Sequence, residues 1–254
     1  RRTGTMTNAV YIPHGIPNLH TAGELVQYLN AATEPLPFDM HVYDDEAKWL
    51  EGRRGRIGAS QVGTILGLTD QWKTRRQLFD EMTGRSVDEF KGNEYTQRGQ
   101  SEEPLIRALW AIEHPDWDVY DGTHLLFVSK TEPWRSCSLD MVCVRRATGE
   151  FVIGEIKTGV WTKKWAGGGV PDGYLAQVSQ QLDITKFDGA VIVARLQSAS
   201  GAEEPDTTSG ERAYYFSADN AAVQDNMQYV RREVADFWDC VQKGVYKPKI
   251  NLAI

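Results

Sequence analysis

The 254-residue chain is 41% apolar and 25% charged, a composition that supports one large core or two small ones and is ordinary for a soluble globular protein. No apolar stretch approaches the ~18 residues of a membrane helix, and the basic N-terminus "RRTGTMTNAVYIPHG" has no apolar segment like that of a signal peptide. No membrane association and a cytoplasmic location are therefore expected, and a formal net charge of −7 disfavours nucleic acid as a partner when taken only as a sum.

Distribution matters more than the sum. Basic residues cluster at 53–56 ("RRGR"), 73–76 ("KTRR"), 145–146 and 157–165 ("KTGVWTKKW"). Solvated faces account for such runs, and so does a cleft that binds phosphates and a metal. Cys137, Cys143 and Cys240 are odd in number and scattered, which predicts reduced thiols rather than a disulfide or zinc framework.

Residues 1–44, rich in Pro and Asn, are expected to form an extension of unknown role, with one helix from about Thr21 opened by the capping box Thr21–Glu24. Residues 45–254 are expected to form the main domain. Helical patterns run from Asp44 to about Pro115. "DDEAKWLEGR" opens on acidic N-cap candidates. "SQVGTILG" has Ser60 as its N-cap candidate and Gly67 as its stop, and "RRQLFDEMTGR" stops at Gly84. In "YTQRGQSEEPLIRALWAIEHP", Leu105, Ile106, Leu109, Trp110 and Ile112 form an apolar stripe.

Strands follow: "WDVY", "HLLFVS", "SLDMVCVRR" and, after the turn "ATGE", "FVIGEIKT". "PDGYLAQVSQQLDIT" reads as a helix, "GAVIVARL" and "RAYYFS" as strands, and the segment from Ala218 to Gly244 as one long amphipathic helix. This order predicts an α/β fold, a central mixed sheet flanked by helices.

One strand breaks its own pattern. In "FVIGEIKTG", residues 151–159, Glu155 and Lys157 share a face with Phe151 and Ile153, where burial of unpaired charge is costly. Glu-x-Lys also occurs at Glu46/Lys48 and Glu89/Lys91, in polar segments that need no function. At 155–157 a plain ion pair at the sheet edge would suffice. The preceding strand adds a further demand, because a hairpin turn at 147–149 sets Asp140 opposite Glu155 within a residue or two. Adjacent carboxylates repel unless a positive charge lies between them. A hard divalent cation with oxygen ligands, and a lysine to position a water, is the chemistry of metal-assisted phosphodiester hydrolysis.

Asp140…Glu155-x-Lys157 resembles the PD-(D/E)XK nuclease signature, and the chain from about Trp49 to Thr185 resembles the YqaJ-type, lambda-exonuclease-like viral recombinases. "WLEGRRGRIGASQVGTILG" is similar to the family's N-terminal motif, which implies that Arg53 and Ser60 bind a DNA 5′-phosphate. "RGQSEEPLIRALW" resembles the G-x-x-x-E helix, matching Glu103 as the residue that faces the metal, with Glu102 its competitor and an ion pair to Arg107 its bland alternative. "SCSLDMV" resembles the S-x-D-G strand, giving Asp140 as metal ligand and Ser138 as phosphate contact, with Leu139 and Met141 departing from the usual Pro and Gly. "YLAQVSQQLDIT" matches Gln177 to the active-site glutamine, with Gln180 and Gln181 nearby.

The resemblance implies a Mg²⁺- or Mn²⁺-dependent 5′-to-3′ exonuclease acting on linear duplex ends, with two ions per site. Asp140, Glu155, the Ile156 carbonyl and Glu103 would be ligands, and Lys157 with Gln177 would handle the water. Trp161, Lys163, Lys164 and Trp165 are candidates for DNA contact. A ring-shaped homotrimer and a single-strand annealing partner are implied in the same way. A same-fold endonuclease, a repair or CRISPR-adaptation nuclease, and a catalytically inactive DNA-end-binding protein are the alternatives.

Overall fold

The computed structural model describes residues 15–69, 73–86, 94–160, 162, 164–165, 169–197 and 210–249, with backbone alone for 94–100 and 210–211. Its centre is a six-stranded mixed sheet in the order β1 (Leu19–His20), β4 (Trp117–Asp121), β7 (Met141–Arg145), β8 (Phe151–Val160), β9 (Gly189–Gln197), β10 (Gly210–Ser217). β8 lies antiparallel to β7 and parallel to β9. A second, four-stranded sheet runs β2 (Phe38–Val42), β5 (Leu125–Ser129), β6 (Arg135–Cys137), β3 (Ile57–Gly58).

Period-2 patterning builds the two faces of the large sheet. Met141, Cys143, Val152, Ile156, Val191 and Val193 meet Ile106, Trp110 and Ala111 of α5 (Glu94–Glu113). The alternate residues Val142, Val144, Ile153, Ala190, Ile192 and Ala194 meet Val178, Leu182 and Ile184 of α6 (Asp172–Thr185) and the apolar side of the second sheet. Both faces of β8 are covered, so the charged end of this strand is held in a sheet that cannot slip without burying the wrong side chains. Ile112, expected on the apolar stripe of α5, is instead 55% exposed. It lies off the arc of Ile106, Trp110 and Ala111 that contacts the sheet.

Residues 1–44 do not stand apart as far as they are described. β1 adds a parallel edge strand to β4, and β2 pairs with β5. Leu25 and Leu29 of α1 (Ala22–Asn30), with Phe38, enter the main core. The predicted capping box at Thr21 and Glu24 is present, as are the left-handed stops at Gly67 and Gly244. The remaining helices are α2 (Glu46–Arg53), α3 (Val62–Leu66), α4 (Arg75–Met82) and α7 (Ala221–Lys243). Strands β3 and β6, too short for a periodic signal, were not expected. Among the described residues no helix is long and apolar enough to cross a membrane.

A buried ion pair fixes α6 against the second sheet. Arg135 of β6, 1% exposed, donates to Asp183 of α6 at 2.6 Å and to Glu132 at 2.7 Å. Burial raises the Asp183 pKa, but Arg135 and Lys186 more than offset this and hold it below the usual carboxylate range. The folded pKa thus lies below the unfolded one. The stabilisation is present above the unfolded value of about 3.9 and is lost as pH falls through the lower folded value. We expect Asp183→Asn, which removes one of the two carboxylates paired with the buried Arg135, to cost about 2 kcal/mol in urea unfolding at pH 7. The difference from wild type should shrink in acid below pH ~4.

Candidate active site

The β7–β8 hairpin has the predicted register, Met141 against Gly154 and Val142 against Ile153. Continued one step, it sets Asp140 beside Glu155. Asp140 lies just before β7, and its Oδ2 accepts the Ile156 backbone N–H at 2.6 Å. The N–H and C=O of a strand residue point to the same edge, so the Ile156 carbonyl also faces the Asp140 side. Glu155 is buried at 2% exposure. Lys157 Nζ donates to Glu155 Oε1 at 2.6 Å and to Gln177 Oε1 at 3.2 Å, while Gln177 Nε2 donates to Glu155 Oε1 at 2.6 Å. The Lys157 ammonium also lies 4.8 Å from the centre of the Tyr174 ring.

Two residues that the sequence motifs passed over hold this arrangement. Gln181 Nε2 donates to Glu155 Oε2 at 2.5 Å and to the Ser138 carbonyl at 3.1 Å. Arg107, buried on α5, donates to the Asp140 carbonyl at 3.1 Å and pairs with Asp121 at 2.7 Å. The turn after β4 is pressed against the same loop: a Cβ on Gly122 would lie 1.9 Å from the Leu139 carbonyl oxygen, so only glycine fits. The bland reading of Glu103, an ion pair with Arg107, is not what forms. Arg107 turns to Asp121, and the Glu103 carboxylate makes no hydrogen bond or ion pair with a described residue.

The electrostatics are those of crowded carboxylates. Burial, then Glu155 and Glu103, push the Asp140 pKa well up. Burial, with Glu155, likewise raises that of Glu103 against the lowering charge of Arg107. Burial alone would lower the Lys157 pKa, but Glu155 and Asp140 overcome it and hold the ammonium charged. Among the described residues, no three His, Cys, Asp or Glu side chains already enclose a cation position. The donor chemistry nevertheless fits a hard divalent ion. Asp140 Oδ1 and the Glu103 carboxylate accept nothing from the described residues, Glu155 Oε2 keeps a free lone pair beside Gln181, and the Ile156 carbonyl shares their edge.

A second cluster adjoins the first. Arg53, at the end of α2, donates to Ser60 Oγ at 3.1 Å and lies 4.4 Å from the centre of the Trp49 ring. Trp49 Nε1 in turn donates to Ser138 Oγ at 3.0 Å. Arg53, Ser60 and Ser138 are thus brought together, with Trp49 as the link. Among the described residues no carboxylate pairs with Arg53, and burial lowers its pKa. Ser60 is not an N-cap. The cap is Gly58, whose N–H is accepted by the Gln61 side chain, and Ser60 lies inside the 3₁₀ turn Ala59–Gln61, free to face Arg53.

The other basic clusters are consumed internally. Lys73 pairs with Glu81, Arg76 with Asp80, Arg145 with Glu150 and Arg146 with Asp118. Lys48, of the first Glu-x-Lys copy, pairs with Asp44 on the surface. The Glu89/Lys91 copy, Trp161 and Lys163 lie outside the described residues. Lys164 is exposed. Trp165, a candidate for DNA contact, is 4% exposed and tilts against Tyr174 and Tyr214 at 5.6 and 5.7 Å, so it is a core ring. Its apolar area is used in packing and leaves no face for a base.

Several solved structures share this architecture. An alkaline exonuclease from Laribacter hongkongensis (LHK-Exo) superposes with a TM-score of 0.53 at 19% identity, over 78% of this chain and 95% of that one. The same enzyme in complex with dAMP gives 0.54 at 18% identity, over 78% and 95%. A phage related exonuclease from Haemophilus somnus gives 0.50 at 13% identity, over 74% and 96%. At such identities the likeness speaks for the fold, which is that of the PD-(D/E)XK nucleases. The family can be stated more closely: the YqaJ-like viral recombinase domain matches residues 48–188, more than half of the chain, and the chain belongs to that family. No curated protein matches it.

Because Trp165 packs as a core residue, Trp165→Ala should lower unfolding stability in urea by about 3–5 kcal/mol. An exposed base-stacking residue would change it by less than about 0.5 kcal/mol.

Proposed function

We propose that this protein is a divalent-metal-dependent 5′-to-3′ exonuclease that enters at the end of linear duplex DNA and leaves a 3′ single strand. The observation that carries this is the adjacency of two clusters: the Asp140–Glu155–Lys157 group and the Arg53 guanidinium, which has no carboxylate partner among the described residues, bridged by Trp49 and Ser138. Membership in the viral recombinase family supports a role on DNA, and the fold is one shared with exonucleases.

Arg53, Ser60 and Ser138 bind the terminal 5′-phosphate, for which an Arg fork and two hydroxyls are suited donors. Asp140, Glu155, the Ile156 carbonyl and Glu103 hold one or two Mg²⁺ or Mn²⁺ ions. When bound, such an ion lowers the pKa of a water and neutralises charge on the phosphoryl oxygens. Lys157 orients the attacking water, and Gln177 fixes the lysine. Water adds to the phosphorus between the first two nucleotides, the bond to the 3′-oxygen breaks, and that oxygen leaves with a proton. The products are a 5′-mononucleotide and a strand with a fresh 5′-phosphate, which can enter the same pocket.

Family membership also underlies two further parts of the proposal. The chain assembles as a ring-shaped trimer around the duplex, and a single-strand annealing protein takes over the exposed 3′ strand.

The test compares 5′-phosphorylated linear, 5′-hydroxyl linear and covalently closed circular duplex in Mg²⁺, with product sizing. Mononucleotides from linear DNA, fastest from the phosphorylated end, and intact circles are expected. Cut circles would indicate an endonuclease, and binding without any release would indicate an end-binding protein. Lys157→Ala should reduce cleavage by at least about 10³-fold and retain DNA binding. Arg53→Ala should cut the preference for phosphorylated ends by about 10-fold or more, and an equal loss on both ends would remove the phosphate-pocket role.

A further inference from the structure

Two adjacent glutamines on α6 are completely buried, and each spends both amide hydrogens in the same way. Gln180 Nε2 donates to the carbonyls of Ile57 and Ser136, at 3.0 and 3.2 Å. Gln181 Nε2 donates to Glu155 Oε2 and to the Ser138 carbonyl, at 2.5 and 3.1 Å. Both side chains are 0% exposed, and both leave their own Oε1 atoms without a hydrogen-bond partner. A buried amide oxygen left unpaired costs stability, so the two donated bonds must offset it. For Gln180 these bonds join two backbone segments of the second sheet. For Gln181 they join a backbone segment to a charged side chain of the candidate metal site.

That difference has a consequence. The Ser138 residue held through its carbonyl by Gln181 also carries the hydroxyl that accepts from Trp49, the ring beneath Arg53. Gln181 is therefore the direct tie between the Glu155 carboxylate and the strand end that carries the phosphate-binding hydroxyl. The orientation of the amide follows from its partners. A carboxylate and a carbonyl both accept only, so the NH₂ group must face them, and the reverse orientation would set oxygen against oxygen.

We propose that Gln181 is a positioning residue that fixes the spacing between the terminal-phosphate pocket and the metal-binding carboxylates. This rests on the exonuclease reading of the same site. Accepting from Gln181 leaves Glu155 Oε2 one further lone pair to offer at the cation position. Holding Ser138 by its backbone sets where the 5′-phosphate stops relative to that position. Outer partners of metal ligands act in this way, and their loss weakens metal binding without removing a ligand.

The test uses the full chain with Gln181→Met, which keeps the side-chain length and removes the donors, and Gln180→Met as control. Calorimetric titration with Mn²⁺ and fluorescence anisotropy with 5′-phosphorylated and 5′-hydroxyl duplex ends in Ca²⁺ are read for each. For Gln181→Met we expect Mn²⁺ affinity to fall by about 10- to 100-fold. The ratio of affinities for the two ends should move towards one. Gln180→Met should unfold at lower urea yet keep both properties. Unchanged Mn²⁺ affinity and end preference in folded Gln181→Met would overturn the proposal, as would equal losses in both variants. If Gln181→Met does not fold, the wild-type protein decides. The Gln181 side-chain amide resonance should shift on adding Mg²⁺ and again on adding a 5′-phosphorylated end, and silence to either contradicts the proposal. Wild type that binds no Mn²⁺ would instead sink the exonuclease reading itself.

Discussion

The structure turns on one electrostatic constraint, the placing of Asp140 and Glu155 side by side at the end of a buried strand. Burial and the neighbouring Glu155 push the Asp140 pKa well up, and two carboxylates so placed repel unless a cation lies between or beside them. The protein supplies one itself, the Lys157 ammonium on Glu155 Oε1. Its other responses are geometric. The Ile156 N–H fixes Asp140, Gln177 and Gln181 fix Glu155, and Arg107 fixes the Asp140 backbone from the opposite face of the sheet. Such a network makes sense where the remaining acceptor capacity of the carboxylates, with Glu103, is kept for a divalent ion.

The scaffold follows from holding that strand end still. β8 is central in its sheet, covered by α5 on one face and α6 on the other, and α6 is in turn tied to the second sheet by the buried Arg135–Asp183 pair. The glutamines lie on the same helix as Asp183. The ion pair that locks α6 therefore also sets where Gln177 and Gln181 meet Glu155. The second sheet contributes by bringing the end of β6, with Ser138 just beyond it, under Trp49 and Arg53. The candidate catalytic groups thus sit on rigid elements, while the proposed phosphate pocket is built on the short helix and turns beside them.

Much of this was legible in the sequence because its signals were periodic or charged. The alternation in "SLDMVCVRR" and "FVIGEIKT" gave the hairpin, and the turn between them gave a register that the backbone adopts. The charges of Glu155 and Lys157 stood out against that alternation. What the sequence hid had no period or depended on long-range packing. β3 and β6 are two and three residues long. The place of β1 and β2 in the sheets rests on partners about 100 residues away, Val119 and Val128 among them. Gln181 looked like one more amide on a helix, and only the contact with Glu155 across the fold sets it apart. Trp165 looked available because it lies among lysines and glycines, yet a large ring beside Tyr174 and Tyr214 is more stable packed than exposed.

The proposed function requires that the Asp140–Glu155 pair take up a divalent cation and repel without one. The most direct measurement is thermal unfolding of wild type and Asp140→Asn, each with and without Mn²⁺. Mn²⁺ is expected to raise the melting temperature of wild type, while Asp140→Asn should melt no lower than metal-free wild type and should be unmoved by Mn²⁺. Wild type indifferent to Mn²⁺, or a variant stabilised by it as much as wild type, would rule out a cation at this pair.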